Sequence, residues 1–183
     1  MIKYIYKINR GKKMTDRHIE IERRFIIKIP PLEIMRQSDG YTESEIAQIY
    51  LDSGSNLTHR IRSRKSAGNT AYTETKKIRI DRMSAIEDER EISEGEFYEL
   101  IKKQKVGTVP VRKTRHTFHF EGQLFEVDIY PNWKKTCILE TELKNKDERV
   151  LFPYFIEIIE EVTGDKTYSN VQMSRRFPQE RDE

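Results

Sequence analysis

Glu20-Ile21-Glu22-Arg23-Arg24 places a charged side chain at every second position, with Ile19, Ile21 and Phe25 in the alternate register. In an extended strand successive side chains point to opposite faces. Glu20, Glu22 and Arg24 therefore share one face, and the isoleucines and Phe25 take the other. One such strand is an ordinary half-buried strand with a solvated face. The pattern decides the fold because it recurs down the chain.

The first strand is predicted over 17–29, where Pro30-Pro31 stops the ladder for want of an N–H and prepares a short helix near 32–37. Ser38-Asp39-Gly40 reads as a turn before a second strand over 44–51, and 52–56 reads as another. A third strand, 57–65, carries Arg60, Arg62 and Arg64 on one face. Ala67-Gly68-Asn69 turns the chain into a fourth, 70–80, where Thr73, Thr75, Lys77 and Arg79 share a face; a fifth, 85–92, repeats Glu87, Glu89 and Glu91. The period then changes. Ser93 and Glu96 have capping-box spacing ahead of Phe97, Leu100 and Ile101, so a helix is predicted from 94 to about 105, ended by Gly107 and Pro110. Strand six, 111–120, separates Lys113 and Arg115 from Arg112, Thr114 and His116. Glu121-Gly122 makes a hairpin into strand seven, 124–130, with Glu126 and Asp128 on one face, and strand eight, 136–144, alternates Glu140, Glu142 and Lys144 with apolar residues and Thr141. From 152 on, an apolar stretch is mixed with the turn Thr163-Gly164-Asp165.

Charged residues make up 36% of the 183, against roughly a quarter in an ordinary domain. Yet 34 Lys+Arg and 31 Asp+Glu leave a net charge of only +3, whereas a nucleic-acid coat or an acidic tail is lopsided. The two signs must be sorted in space. The length suits one domain with a real core, and no repeat or linker divides it. The expected organisation is an extension over 1–16, with Met14 a candidate start, one domain over 17–175 and a tail over 176–183. A single cysteine, Cys137, excludes an internal disulfide, and there is no Cys/His cluster for structural zinc, so a cytoplasmic setting is expected. No apolar run approaches the ~18 residues of a membrane span, and residues 1–13 lack the apolar block of a signal peptide. Cys137, His116 and His119 read as packing or hydrogen-bonding residues, and Trp133 as a loop residue.

Eight mostly antiparallel strands suffice to close a barrel. If helices outside cover the apolar faces, the charged faces turn to the lumen, acidic from strands one, five, seven and eight and basic from three, four and six. The rival reading leaves these faces as solvated outer walls with cross-strand pairs worth about a few tenths of a kcal/mol each. Under the tunnel reading the lumen must be wet and occupied, because burying so many ions dry is prohibitive. Clustered carboxylates without Cys or His favour Mg²⁺ or Mn²⁺. A facing wall of Arg and Lys suits a chain of phosphates.

These residues resemble the CYTH domain, or triphosphate tunnel metalloenzyme, family. Its E-x-E-x-K signature is matched by Glu20, Glu22 and, with arginine for lysine, Arg24. In order, His59-Arg60-Ile61-Arg62 resembles the R-x-R strand, Thr75-Lys76-Lys77 the T-x-K strand, and Glu87 to Ile92 the acidic strand. Arg112 to His116 resembles K-x-R-[YH], Phe125 to Asp128 E-V-D, and Leu139 to Leu143 E-x-E, and Glu161 to Lys166 with Tyr168 and Asn170 resembles the closing segment. The matches span 19–170. In place of a glycine-rich turn the chain has Pro131-Asn132-Trp133-Lys134-Lys135, a loop expected at a tunnel mouth. The resemblance implies an α+β fold, an eight-stranded antiparallel β-barrel tunnel with a charged lumen and a few helices outside. It implies metal-dependent hydrolysis of triphosphate-containing small molecules, and tripolyphosphate is the first expected substrate because the chain shows no obvious base-reading pocket. Glu20, Glu22, Glu140 and Glu142 are the implied metal ligands for Mg²⁺ or Mn²⁺, with Asp128 and Glu89 completing a second site. Glu142 and Asp128 would orient the attacking water. Arg24, Arg60, Arg62, Lys77, Lys113 and Arg115 would hold the phosphates, and Lys166 would cap the tunnel. Two alternatives stay open: a class IV-type adenylate cyclase making cyclic AMP from ATP, and a non-catalytic polyphosphate-binding module. No membrane is implied, the only nucleic-acid partner left is a triphosphorylated RNA end, and the oligomeric state is open, a homodimer included.

Overall fold

Strands form wherever the alternation at period two holds. The computed structural model describes residues 18–54 and 57–181, so the expected extension over 1–16 lies outside the described residues. The strands are β1 (His18–Lys28), β2 (Asp39–Tyr50), β3 (Thr58–Ser66), β4 (Asn69–Arg79), β5 (Ser84–Glu91), β6 (Val111–Phe120), β7 (Gln123–Ile129), β8 (Thr136–Glu142) and β9 (Ile158–Glu161). The helices are α1 (Leu32–Arg36), α2 (Glu94–Ile101) and α3 (Asn170–Met173), the last following a 3₁₀ turn at Lys166–Tyr168. The order β5-β4-β3-β2-β6-β7-β8-β1, with β1 pairing back onto β5, closes an antiparallel eight-stranded barrel. β1 is the seam. One of its edges carries β8 along Glu22 to Lys28; the other is shared end to end, β5 beside residues 18–21 and β9 beside Phe25 to Ile27.

Two differences from the expected elements have local causes. Ser38-Asp39-Gly40 does not end a turn before the strand; β2 starts at Asp39 and slips register before Thr42, a bulge. Gly40 sits at φ +62°, and a Cβ there would lie 2.6 Å from His119 Nδ1, so the bulge requires glycine twice over. β9 was not expected at all, because its four residues do not alternate apolar with polar. The capping box ahead of α2 does form, with Ser93 Oγ accepting the Glu96 N–H at 3.2 Å.

Apolar side chains gather in three places. Outside the barrel, Phe25, Ile27, Phe118, Phe125 and Leu139 pack beneath Met35 of α1 and Val150 and Ile156. Also outside, Ile49, Leu51, Ile61 and Ile92 pack with Phe97 of α2. The third cluster is inside: Ile26, Tyr50, Val111, Tyr130 and Ile138 share the inward register of Arg24, Gln48, Lys113, Asp128 and Glu140, and Tyr168 and Met173 close over them. The lumen is thus stopped at one end and is a pit with one mouth.

The C-terminal residues hold that stopper in place. Phe177 packs on Tyr130 and Trp133, whose indole N–H donates to the Pro178 carbonyl at 3.1 Å. The Glu180 carboxylate accepts the backbone N–H groups of Lys134, Lys135 and Thr136 at 2.9, 2.5 and 2.7 Å. Arg181 donates to the Tyr168 hydroxyl at 2.7 Å and pairs with Glu160. The loop from Pro131 to Lys135 therefore lies at the closed end under the tail, not at a mouth. Among the described residues no helix is long and apolar enough to cross a membrane.

Candidate active site

Inward registers from all eight barrel strands converge on a cavity of about 450 Å³. Eight carboxylates line it, Glu20, Glu22, Glu87, Asp88, Glu89, Glu126, Glu140 and Glu142, against six cations, Arg24, Arg60, Arg62, Lys77, Lys113 and Arg115. Strand register sets who meets whom. Arg24 lies directly across from Glu140, and Lys77 from Glu87. Glu22 faces Glu142 and Glu126 faces Glu140, like charges that destabilise a sheet unless something positive stands between them. Their presence marks a face not arranged for stability alone.

Each wall holds the other. Arg24 binds Glu140 at 2.6 Å and Glu22 at 3.2 Å, Lys77 binds Glu20 and, at 2.8 Å, Glu87, and Arg62 binds Glu89 at 3.0 Å. Arg115 reaches Glu126, Asp128 at 2.6 Å and Glu140 at 2.7 Å, and Lys113 reaches Asp128. Burial pushes the Glu20 carboxyl up to about 7; Glu22 and Glu87 beside it add to the rise and Lys77 opposes it. Burial also works against the Glu140 charge, but Arg24, Lys113 and Arg115 hold its carboxyl well below the usual range. Lys113 is lowered by burial and by Arg115, with Asp128 pulling the other way. Two buried guanidinium donors, Arg24 Nε and Arg60 Nε, have no hydrogen-bond partner among the described residues, which is costly unless an acceptor arrives.

No family model matches the chain, and no curated protein matches it by sequence. Solved structures do match. Two crystal structures of NE1496, described in one case as a hypothetical protein and in the other as an inorganic triphosphatase, each share 27% identity over 87% of this chain, with a TM-score of 0.55; the match covers 99% and 97% of their chains. The PH1819 protein from Pyrococcus horikoshii OT3, 24% identical over 70% of this chain and 80% of its own, has the same fold at a TM-score of 0.55.

The chain has the triphosphate tunnel fold.

The tunnel brings Glu20, Glu22, Glu89, Glu140, Glu142, Arg24, Arg60, Arg62, Lys77, Lys113 and Arg115 together around one cavity. Arg115 and Glu140 are 7% and 8% exposed, so these are not solvated outer faces. Two expected site residues stand elsewhere. Asp128 is inward-facing but wholly buried between Glu126 and the stopper, held by Lys113 and Arg115, and does not line the cavity. Lys166 is exposed on the 3₁₀ turn, where Asp165 accepts the Thr167 N–H at 2.8 Å; Tyr168 and Asn170, not Lys166, turn towards the tunnel.

Other residues line the cavity without having been given a role: Glu87 and Glu126 stand on the acidic faces of strands five and seven that were expected to turn to the lumen. Glu87 and Glu126 carried a signal, the same alternation as Glu89 and Asp128. Gln48 is uncharged and had none, and Asn170, in a segment without periodicity, was marked only by the resemblance of the closing segment. Among the rest, His116 is buried with Nδ1 2.8 Å from the Tyr41 hydroxyl, and the buried Cys137 thiol is pushed up by burial and by Asp128.

Proposed function

We propose that this chain is a divalent-metal-dependent triphosphatase that hydrolyses a phosphoanhydride bond, with inorganic tripolyphosphate as its first substrate. The observation that carries this is the pit itself, six cations facing eight carboxylates with two guanidinium donors left without acceptors among the described residues. The triphosphatase NE1496, which matches 87% of the chain, supports the same reading.

The donor set fits a hard cation. The metal-ligating groups on the wall are carboxylates with a few neutral oxygens and no His or Cys, which suits Mg²⁺ or Mn²⁺. Carboxylates outnumber cations, so a polyanion entering alone meets net repulsion. Among the described residues no three such groups are gathered at one point; Glu20, Glu22, Glu87, Glu89, Glu126 and Glu140 each lean on a cation instead. Glu20, Glu22, Glu140 and Glu142, on the adjoining strands β1 and β8, would hold the ion, with Glu89 on β5 and Asp128 acting at one remove through Lys113 and Arg115. When bound, the metal neutralises phosphate oxygens and polarises the phosphorus under attack.

The residues themselves work by exchange. Phosphate oxygens replace Glu140 and Glu22 on Arg24, Glu89 on Arg62 and Glu20 on Lys77, which frees those carboxylates. Arg60 and Arg24 gain acceptors for Nε. A water oxygen forms the new bond to phosphorus as the bridging P–O bond breaks, and its proton passes to a carboxylate at the mouth, Glu142. From tripolyphosphate the products are orthophosphate and pyrophosphate.

The test is phosphate release from tripolyphosphate, ATP and thiamine triphosphate with Mg²⁺ or Mn²⁺, comparing the wild type with Glu20→Gln/Glu22→Gln. Metal-dependent release that falls about 100-fold or more in the double variant is expected, by analogy with removing a transition-state electrostatic contact. Cyclic AMP from ATP, or tight binding without turnover, would overturn the hydrolase reading.

A further inference from the structure

The outer side of the closed end carries apolar side chains that no described residue covers. Between α2 and β6 the chain runs Lys102-Lys103-Gln104-Lys105-Val106-Gly107-Thr108-Val109-Pro110, with three lysines and no acid. Val106 is 91% exposed and Val109 62%. Hydrogen bonds fix the shape of this loop. The Lys105 N–H donates to the Tyr50 carbonyl at 2.8 Å, and the Val109 N–H to the Ser174 carbonyl at 2.7 Å. The buried Thr108 folds back, its hydroxyl donating to the Lys105 carbonyl at 2.6 Å while its own carbonyl accepts from Gln104 Nε2 at 2.6 Å. Gly107, at φ +75°, supplies the turn that this requires. Val106 and Val109 are thus held outward on either side of Thr108.

Cations surround the two valines. Lys103 and Lys105 precede Val106, and the bond to Ser174 sets the exposed Arg175 and Arg176, just after α3, beside Val109. Lys134 is exposed at the same end, on the loop that the tail straps down. None of these five side chains has an ion-pair partner among the described residues. Of the carboxylates on adjoining segments, Glu99 pairs with Lys102 at 2.7 Å and Glu180 accepts three backbone N–H groups. Asp52, whose N–H donates to the Lys103 carbonyl, is left to oppose five cations. The pit has the other sign, with eight carboxylates against six cations. The molecule is basic at its closed end and acidic at its mouth.

We infer that the closed end docks on an anionic bilayer surface, with Val106 and Val109 dipping into the headgroup layer and Lys103, Lys105, Lys134, Arg175 and Arg176 against the lipid charges. Two features select this partner. Unpaired cations call for a polyanion, and protruding valines call for an apolar phase. The boundary of a bilayer rich in anionic lipid offers both at once, whereas a nucleic acid supplies only the charge. Two valines are a small apolar load, so the contact is peripheral and reversible and not a span. Orientation follows from the charges. The basic end lies on the lipid and the acidic mouth faces the solvent, open to a soluble substrate.

The experiment sediments the full chain with vesicles of phosphatidylcholine, alone or equimolar with phosphatidylserine, at low and physiological salt. Binding to the phosphatidylserine vesicles is expected to be about tenfold tighter or more, and to weaken as salt screens the surface charges. Arg175→Ala/Arg176→Ala is expected to bind them about thirtyfold less tightly, each basic residue near the surface contributing about a factor of five. Val106→Ser/Val109→Ser is expected to lose about tenfold, for two side chains no longer partly buried in lipid. Both variants are expected to keep the wild-type melting temperature and turnover, because neither reaches the pit. Equal binding to the two kinds of vesicle, or to neither, would overturn the proposal, as would phosphatidylserine binding that survives both variants. Tighter binding to single-stranded RNA or to polyglutamate than to the vesicles would overturn it in favour of a soluble polyanion. The wild-type comparison decides the matter even if a variant does not fold, and sedimentation is read without turnover, so it stands apart from the triphosphatase assay.

Discussion

Ile26 and Glu22 lie on the same face of β1, and Val111 and Arg115, Tyr130 and Glu126, Ile138 and Glu142 repeat the arrangement on or beside β6, β7 and β8. In each pair the apolar member sits at the stopper and the charged member lines the pit. The inner face is therefore two surfaces end to end. One half is packed like an ordinary core and holds the barrel shut; the other keeps like charges opposite each other and makes a site. Stability and function are divided along the strands, not between the two faces of the sheet.

The sharpest test of that division lies at its boundary. Arg115 carries Asp128, Glu126 and Glu140 at once. Arg115→Met leaves Asp128 fully buried with Lys113 as its remaining ion-pair partner among the described residues and is expected to cost about 3–5 kcal/mol in urea unfolding, the penalty for breaking a buried ion pair. Adding Asp128→Leu is expected to restore a large part of the loss. A single-variant loss below about 1 kcal/mol would show that the boundary is wet enough to tolerate a lone charge.

The next test sets one half against the other. Ile138→Ala at the stopper is expected to cost about 2–4 kcal/mol, the usual penalty for a cavity in a packed core. Glu22→Gln in the pit relieves the Glu22/Glu142 opposition and is expected to leave stability within about 1 kcal/mol of the wild type, or above it, while turnover falls. If both lose stability alike, the two halves are not distinct.

The smallest effect belongs to the tail. Burial resists the Glu180 charge, but the N–H groups of Lys135, Lys134 and Thr136 bring its carboxyl down to about 2. A folded value below the unfolded one makes its contribution full above the ordinary carboxylate range and lost as pH falls from there towards 2. The melting difference between wild type and Glu180→Gln is therefore expected to be largest near neutral pH and to shrink on acidification. A difference that grows in acid would remove Glu180 from the stopper.

The charged half was legible because a charge at every second position recurs on seven of the eight barrel strands. β6 forms over the same residues, 111–120, that the alternation marks. The stopper was not legible. Ile26, Val111 and Ile138 continue the register of the charges without a break, and nothing in spacing says that a face changes character four residues on. Lys166 was carried to the tunnel by resemblance, but its direction is set by a local turn closed by Asp165. The loop around Trp133 was assigned to a mouth for the same reason, and only its contacts with Phe177, Pro178 and Glu180 place it at the other end.

β1 is the first strand of the barrel, yet its partners are β5, β8 and β9, the last of them at Ile158–Glu161. A chain leaving the ribosome must hold this strand half-paired until nearly all of its successors have emerged. Its long-range pairings predict slow closure, with the unsatisfied edge of β1 exposed throughout synthesis. The alternating Glu20, Glu22, Arg23 and Arg24 would then also act before the barrel exists, because charges along an open strand edge discourage it from pairing with another chain.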